Sequence, residues 1–360
     1  MSAITDLEHW LRTDFVDHNT ALEEAHLAGA PLDAAAVLRD DGGTLVSRVD
    51  ALPDDRLARY QLLGAVGFYL AACRRHDVAA PEPAQAVAGR LGLSLGVAPR
   101  FVFAHESTHN PTVDGVFRTF TRLPDEHTFI TYNALGVLAY ERAAAALRAI
   151  PAVGVSGRLA GHLLDEAAAA LADVLRFNKA LAAELDVDRF YRNVRPYFRP
   201  HDVCGVEYRG ANAGDFAAVN EIDLALGLCD QRDPFYQRIL AEKYPYVPPE
   251  HQVRLREAPV SLLDLFEADG SANVDRYLAV CRAHGAAYSF HHHKLVRPYL
   301  VKPAGDAPPD GISASGPPLD VVVAGLARLV DLRAALDRPG TARVRLARLR
   351  SASAVPSAAG

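Results

Sequence analysis

Residues 273–300 read NVDRYLAVCRAHGAAYSFHHHKLVRPYL. Cys281, Tyr288, Leu295, Val296 and Tyr299 recur at the three- and four-residue spacing of one helix face, which predicts a helix over 273–300. Three consecutive histidines, His291 to His293, lie within it, and on a helix they point in three directions. Their neighbours three, four and seven residues away therefore decide which one faces a core. His292 shares its face with Cys281, Gly285, Tyr288, Leu295, Val296 and Tyr299, whereas His293 shares its face with Arg282, Ala286, Ser289 and Arg297. His291 falls between, beside His284, Ala287, Lys294 and Leu295. Only His292 is expected to project inward.

The same spacing runs through the rest of the chain. Leu7, Trp10, Leu11 and Phe15 make one stripe; Leu57, Tyr60, Leu63, Val66, Leu70 and Cys73 make another, in a helix that starts after Pro53 with Asp54 and Asp55 near its positive end. Helices are expected over about 125–149, stopped near Pro151, over 156–185, and over 319–336. Alternating β-branched runs are almost absent, so the fold class is all-α. A Gly/Pro-punctuated passage from Pro81 to Pro99 places a boundary near residue 98, between an N-terminal helical region (1–98) and a second domain (99–337). The tail 338–360, with five arginines among Ala, Ser and Pro, is expected to be mobile.

Composition narrows the function classes. The chain has 360 residues, 50% hydrophobic and 23% charged, with a net charge of −6, which argues against a dedicated polyanion binder and so against nucleic acid as a partner. A long uncharged apolar run is absent, and Asp6, Glu8, Arg12 and Asp14 interrupt the start, so neither a membrane span nor a signal peptide is expected. Cys73, Cys204, Cys229 and Cys281 lack C-x-x-C spacing, which fits a reducing cytoplasm better than a disulfide framework or a thiolate zinc site. Fourteen histidines are the one hint of chemistry. For His292, two readings stand at this level: a buried imidazole bonded to a backbone carbonyl, or an axial metal or haem ligand with Gly285 leaving room for a flat macrocycle.

His105-Glu106-Ser107-Thr108-His109 competes, because it matches H-E-x-x-H, in which two histidines one helical turn apart bind zinc and the glutamate is the general base. Glu126 or Glu141 could complete the ligands. Asn110-Pro111 follows at once and biases the chain out of helix where the motif needs it.

A family resemblance passes through His292. Phe190-Tyr191-Arg192-Asn193-Val194-Arg195, the loop Gly210-Ala211-Asn212-Ala213-Gly214 leading to Asp223 and Gly227, the Tyr244 to His251 stretch with Pro248-Pro249, and His292-His293-Lys294-Leu295-Val296 with Tyr299 and Pro303 resemble, in order and spacing, the haem domain of indoleamine 2,3-dioxygenases. The chain is more similar still to the monodechloroaminopyrrolnitrin synthase family of the same superfamily, through His105, Asn110-Pro111-Thr112, Leu123-Pro124-Asp125-Glu126 and Phe190-Tyr191 to Phe198. The likeness covers roughly residues 100–336.

That resemblance implies haem b on an all-helical domain, with His292 as proximal ligand and Gly285, Tyr288, Gly210, Ala213, Gly214 and Val296 around the cofactor. It implies Arg195 as the anchor of a substrate carboxylate, where a guanidinium can hold two parallel hydrogen bonds. Phe190 and Tyr191 are the implied stacking partners of an aromatic ring, Tyr132 and Gly136 fall on the pocket-lining helix, and His105 or His109 stands on the distal side. Where the family has a glycine-rich run, this chain has Gly311-Ile312-Ser313-Ala314-Ser315-Gly316-Pro317-Pro318, with Ser315 the implied substrate contact. The implied function is a haem-dependent oxygenase that uses dioxygen on tryptophan or a related aromatic amino acid, or rearranges such a substrate, with no nucleic acid or membrane partner and an open oligomeric state.

Overall fold

Helix ends follow from the residues that stand at them. The computed structural model describes residues 3–30, 32–33, 36–269, 272–296, 298, 319–334 and 341–353. Its first helices are α1 (Ala3–Arg12), α2 (Asp14–Leu27), α3 (Gly43–Ser47), α4 (Arg56–Arg75) and α5 (Glu82–Leu95). α4 starts where the Asp55 carboxylate accepts the Ala58 N–H at 2.7 Å, satisfying a free donor of the first turn, and ends on Arg74 and Arg75 at the negative end of its dipole. The stripe from Tyr60 to Cys73 is buried, with Leu57 exposed, and Leu7, Trp10, Leu11 and Phe15 are buried against it. Gly67 is where the chain after α5 crosses α4: a methyl group there would lie 2.5 Å from the Phe101 nitrogen.

α6 (Pro124–Val153) opens with proline in its first turn and Asp125 and Glu126 beside it. It runs past Pro151, the expected stop, because a proline in the last turn removes a single hydrogen bond; Gly154, at φ 73°, ends it. α7 (Arg158–Glu184) returns along α6. Then come α8 (Val187–Arg189), a π turn Phe190–Val194 and a 3₁₀ turn Arg195–Phe198. Among the described residues, strands are confined to the hairpin β1 (His201–Val203) and β2 (Val206–Tyr208), so the all-α expectation holds. The remainder is α9 (Ala218–Ala225), α10 (Pro234–Lys243), α11 (Pro249–Glu257), α12 (Leu262–Asp269), α13 (Val274–His291), α14 (Leu319–Ala334) and α15 (Thr341–Ser353).

Three expectations are revised. The helix expected over 273–300 is α-helical only to His291, and a π turn, His292–Val296, follows. Residues Thr341–Ser353, expected in a mobile tail, are helical and bury Leu346 and Leu349 against the α12 and α13 cluster. Nor does the core break near residue 98. One apolar cluster runs from Leu7 to Leu295, and Phe68 of α4 packs Phe120 at 4.4 Å and Phe101 at 5.1 Å. Tyr299, Pro303 and the segment 311–318 with Ser315 lie outside the described residues. Among the described residues, no helix is long and apolar enough to cross a membrane.

A buried carboxylate joins the C-terminal half. Asp223 of α9 accepts His284 Nε2 of α13 and Arg333 Nε of α14 at 2.8 Å each on Oδ1. On Oδ2 it accepts Arg333 Nη2 at 2.7 Å and the Tyr236 hydroxyl of α10 at 2.8 Å. Burial alone would raise its pKa, yet Arg333 and His284 hold the carboxyl well below the usual range. The charge is thus fully compensated, and removing it strands Arg333 in the core. Asp223→Asn is expected to cost about 3–5 kcal/mol in urea unfolding, as when one partner of a buried pair is lost; a cost below about 1 kcal/mol would refute this account.

Candidate active site

α13 presents the histidine triplet as its face analysis requires. His292 is buried, at 6% exposure, His291 is half-buried and His293 is exposed. The His291 ring lies parallel to Tyr288 at 6.3 Å, and burial, with His292 and Arg333 nearby, pushes its imidazole down to about 4. On the His292 face, Cys281, Gly285, Tyr288 and Leu295 are buried and Val296 is half-buried. Gly285 faces the backbone of α14. A Cβ there would lie 3.0 Å from Ala334 Cα and 3.0 Å from the Arg333 carbonyl, so the missing side chain admits the backbone of α14. Tyr288 lies under the Arg333 guanidinium at 3.9 Å.

Arg195 follows the π turn Phe190–Val194 and is buried, at 9% exposure. Its guanidinium sits over the Tyr191 ring at 4.6 Å, and among the described residues no carboxylate pairs with it. Burial lowers its pKa. Tyr191 meets Phe190 at 6.0 Å, Phe190 meets Phe129 of α6 at 5.3 Å, and Phe129 meets Phe103 at 6.1 Å. Arg195, Tyr191 and Phe190 are thereby joined to α6 and to the segment that carries His105. Tyr132, one turn beyond Phe129, is not: its hydroxyl donates to Glu184 at 2.5 Å on the exposed side of α6 and α7.

The His105–His109 segment is a 3₁₀ turn, Phe103–His105, followed by irregular turns, so the two histidines do not stand one α-helical turn apart. His105 is fully buried. Its ring packs on Tyr60 at 4.3 Å and against Gly64, where a Cβ would meet it at 3.0 Å; its Nδ1 accepts the Val102 N–H at 3.2 Å. The proton is therefore on Nε2, which has no partner among the described residues, and burial holds the imidazole neutral. His109 instead bonds Glu250 Oε1 through Nε2 and Thr108 Oγ1 through Nδ1, both at 3.0 Å. That bond from His109 holds the Glu250 carboxyl down to about 2.

Glu106 completes the correction of the zinc reading. Its side chain is buried with neither oxygen partnered among the described residues, and burial together with nearby Glu126 raises its pKa far above the carboxylate range. Glu126 accepts Phe120 N, Thr121 N and Thr121 Oγ1 at 2.6, 2.7 and 2.6 Å; burial still pushes its carboxyl up to about 7, but these three donors make it the more readily ionised member of the pair. A neutral Glu106 is no general base. Among the described residues, no three His, Cys, Asp or Glu side chains converge on a metal position.

The segment meets Val137 of α6, Asp215, Phe216, Pro248 and His251 across a narrow gap without room for a water molecule. His251 brings a buried Nδ1 without a partner among the described residues, and burial pushes its imidazole down to about 4. The Gly210–Gly214 loop enters this region, but neither glycine has positive φ, and Ala213 and Gly214 are half-buried. The loop is closed by Gly214 N–H donating to Asn212 Oδ1 at 2.8 Å, and by Asn212 N–H and Arg209 donating to Asp215. Sequence reading missed the parts played by Asp223, Arg333, Glu106 and His251. Only the wheel position of His284 beside His291 signalled buried polarity.

These residues fit haem. A haem asks for one axial imidazole and a flat apolar opening. His292 offers a buried imidazole on a helix end anchored by Asp223, and one donor suffices where no chelating cluster exists among the described residues. Gly136 of α6 is buried, and a Cβ built there would meet none of the described residues within 4 Å. A family model for monodechloroaminopyrrolnitrin synthase PrnB matches residues 1–352. The chain belongs to this family. PrnB proteins are haem-dependent oxygenases of the indoleamine and tryptophan 2,3-dioxygenase-like superfamily, and this chain is an enzyme of that class. The match takes in the N-terminal helices too, in keeping with the continuous core.

Two outcomes follow. His292→Ala is expected to abolish retention of haem, read from the Soret band of the purified protein, while His293→Ala retains it; equal loss would refute the face argument. For Glu106, a raised folded-state pKa means stability that is complete below the ordinary value of 4.5 and is lost as pH rises through the raised value. Glu106→Gln removes that loss. Urea midpoints of the natural protein are expected to fall relative to the variant between pH 5 and pH 8, and parallel profiles would contradict a neutral Glu106.

Proposed function

We propose that this PrnB-family chain is a haem b oxygenase acting with dioxygen on tryptophan or a tryptophan derivative in specialised metabolism, with His292 as axial ligand and Arg195 as the carboxylate anchor. The observation that carries the substrate class is Arg195: a buried guanidinium beside an aromatic ring, with no carboxylate of the chain paired to it among the described residues. A guanidinium stays ionised even when burial lowers its pKa, and a buried cation without a counter-ion is costly until a ligand supplies one. An amino-acid carboxylate meets that need in bidentate geometry, and Phe190 and Tyr191 make the surroundings of Arg195 aromatic, as a ring-bearing substrate requires.

Bound haem would supply the activation of dioxygen. The chain's own residues bind, orient and shield the substrate. Of the two distal histidines, His105 has a donor to give, because Nδ1 is engaged and Nε2–H is not, whereas both nitrogens of His109 are engaged. The family match over nearly the whole chain favours a second reading of the outcome, an oxidative rearrangement of a tryptophan derivative. Loss of a charge-assisted hydrogen-bond pair predicts that Arg195→Ala weakens binding of an aromatic amino acid to the reduced holoprotein by about 10- to 100-fold, with haem content unchanged. A Soret titration reads both quantities, and unaltered affinity would overturn the assignment.

A further inference from the structure

One buried cation has no role in the reading above. Arg100 is fully buried, and no carboxylate forms an ion pair with it among the described residues; Asp215, the nearest acid acting on it, is held in two bonds by Arg209. Its guanidinium donates to backbone carbonyls alone: Nε to Phe101 at 2.9 Å, and Nη1 to Arg199, Tyr208 and Arg209 at 3.1, 3.3 and 2.8 Å. Those last three carbonyls are the two ends of one hairpin. Arg199 immediately follows the 3₁₀ turn that begins at Arg195, and Arg209 precedes Gly210, the first residue of the Gly210–Gly214 loop. Arg100 also stands three residues before Phe103, where the His105 segment begins.

We propose that Arg100 is a positioning residue for the substrate-carboxylate site, fixing Arg195 relative to the Gly210–Gly214 loop by holding both feet of the β1–β2 hairpin. This rests on the reading of Arg195 given above. The hairpin behaves as a strut because its tip is fixed as well. Cys204 and Gly205, at φ 53° and 76°, make the tight two-residue turn, Cys204 N–H donates to Gln85 Oε1 at 3.0 Å, and Cys204 Sγ donates to the Gln85 carbonyl at 3.3 Å on α5. A strut fixed at its tip passes any movement of its feet to the segments continuing from them. Those segments carry Arg195 on one side and Gly210 on the other. One nitrogen, Nη1, meets the carbonyls of both feet, and the bond from Nε to Phe101 fixes where the planar guanidinium places it, a second anchor that an ammonium lacks.

The test is Arg100→Lys in the reduced holoprotein, with Arg100→Gln as a second variant; either one that folds and retains haem carries it. L-tryptophan and tryptamine, the same ring without the carboxylate, are titrated against the Soret band. Affinity for L-tryptophan is expected to fall about tenfold, as for loss of a well-aligned charged contact, while tryptamine stays within about twofold. A merely structural role would weaken both alike or neither, and either result overturns the proposal. On an Arg195→Ala background, Arg100→Lys is expected to add less than about twofold, and full additivity would also overturn it. Arg195→Ala tested alone separates the two readings: if it leaves L-tryptophan binding intact, the carboxylate reading has failed before Arg100 is touched. Gln85→Ala, which removes one tip bond and keeps the one from Cys204 Sγ to the backbone carbonyl, is expected to preserve the ratio of the two affinities; a shift as large as that of Arg100→Lys would place the constraint at the tip and refute the clamp.

Discussion

A carboxylate fully withdrawn from water sets the arrangement of the C-terminal half. Asp223 is tolerable there only because Arg333, His284 and Tyr236 all reach it, and they come from three different helices. α14 must therefore lie close enough to α13 for the Arg333 fork to arrive in plane, and Gly285 is what allows the approach. The glycine that suggested space for a macrocycle provides space for a helix. Its consequence for the site is indirect but firm. His284 fixes the rotation of α13, and His292 stands two turns further along the same helix.

Three other buried arginines show how differently a cation can be accommodated. Arg118 has Glu8 at 3.3 Å together with the Gln61 carbonyl, and burial still brings its pKa down to about 10. Arg100 has carbonyl dipoles alone, and burial brings it down to about 9. Arg195 has a ring face and no acid among the described residues. Arg118 is met by the chain, whereas Arg100 keeps one buried nitrogen, Nη2, without a partner among the described residues. The third lacks a counter-charge among the described residues, and the proposed role of Arg195 rests on that difference.

How far the sequence revealed this depends on what periodicity can carry. A helical wheel gives the direction of a side chain, which is why the burial of His292 and the exposure of His293 were legible, as were the helices themselves. It says nothing of what lies opposite, so Gly285 was read against the wrong neighbour and Tyr132 was expected in a pocket although its hydroxyl is taken by Glu184. H-E-x-x-H failed for a related reason. The letters match, but Asn110-Pro111 disfavours helix, and Tyr60 and Gly64 of a distant helix receive the His105 ring. The Gly/Pro passage before residue 99 marks a real turn of the chain. It does not interrupt the apolar core, because Phe101 and Phe120 immediately pack against Phe68 of the N-terminal helices.

The two residues on which the functional reading rests share a backbone feature that no periodicity rule contains. Arg195 directly follows the π turn Phe190–Val194, and His292 opens the π turn His292–Val296. A π turn takes an extra residue into one helical circuit, which rotates everything beyond it relative to an α-helix and leaves the backbone less well packed at that point. A third such stretch, Ala36–Gly42, carries neither residue and lies against Trp10 and Tyr69, so the feature alone does not mark a site. At Arg195 and His292 it coincides with burial and with ends of elements held by long-range contacts: the Arg100 fork behind one and the Asp223 network behind the other. The two groups are thus presented by different means: the regular helix α13 has already turned His292 inward where its π turn opens, whereas Arg195 takes its direction from the π turn that precedes it.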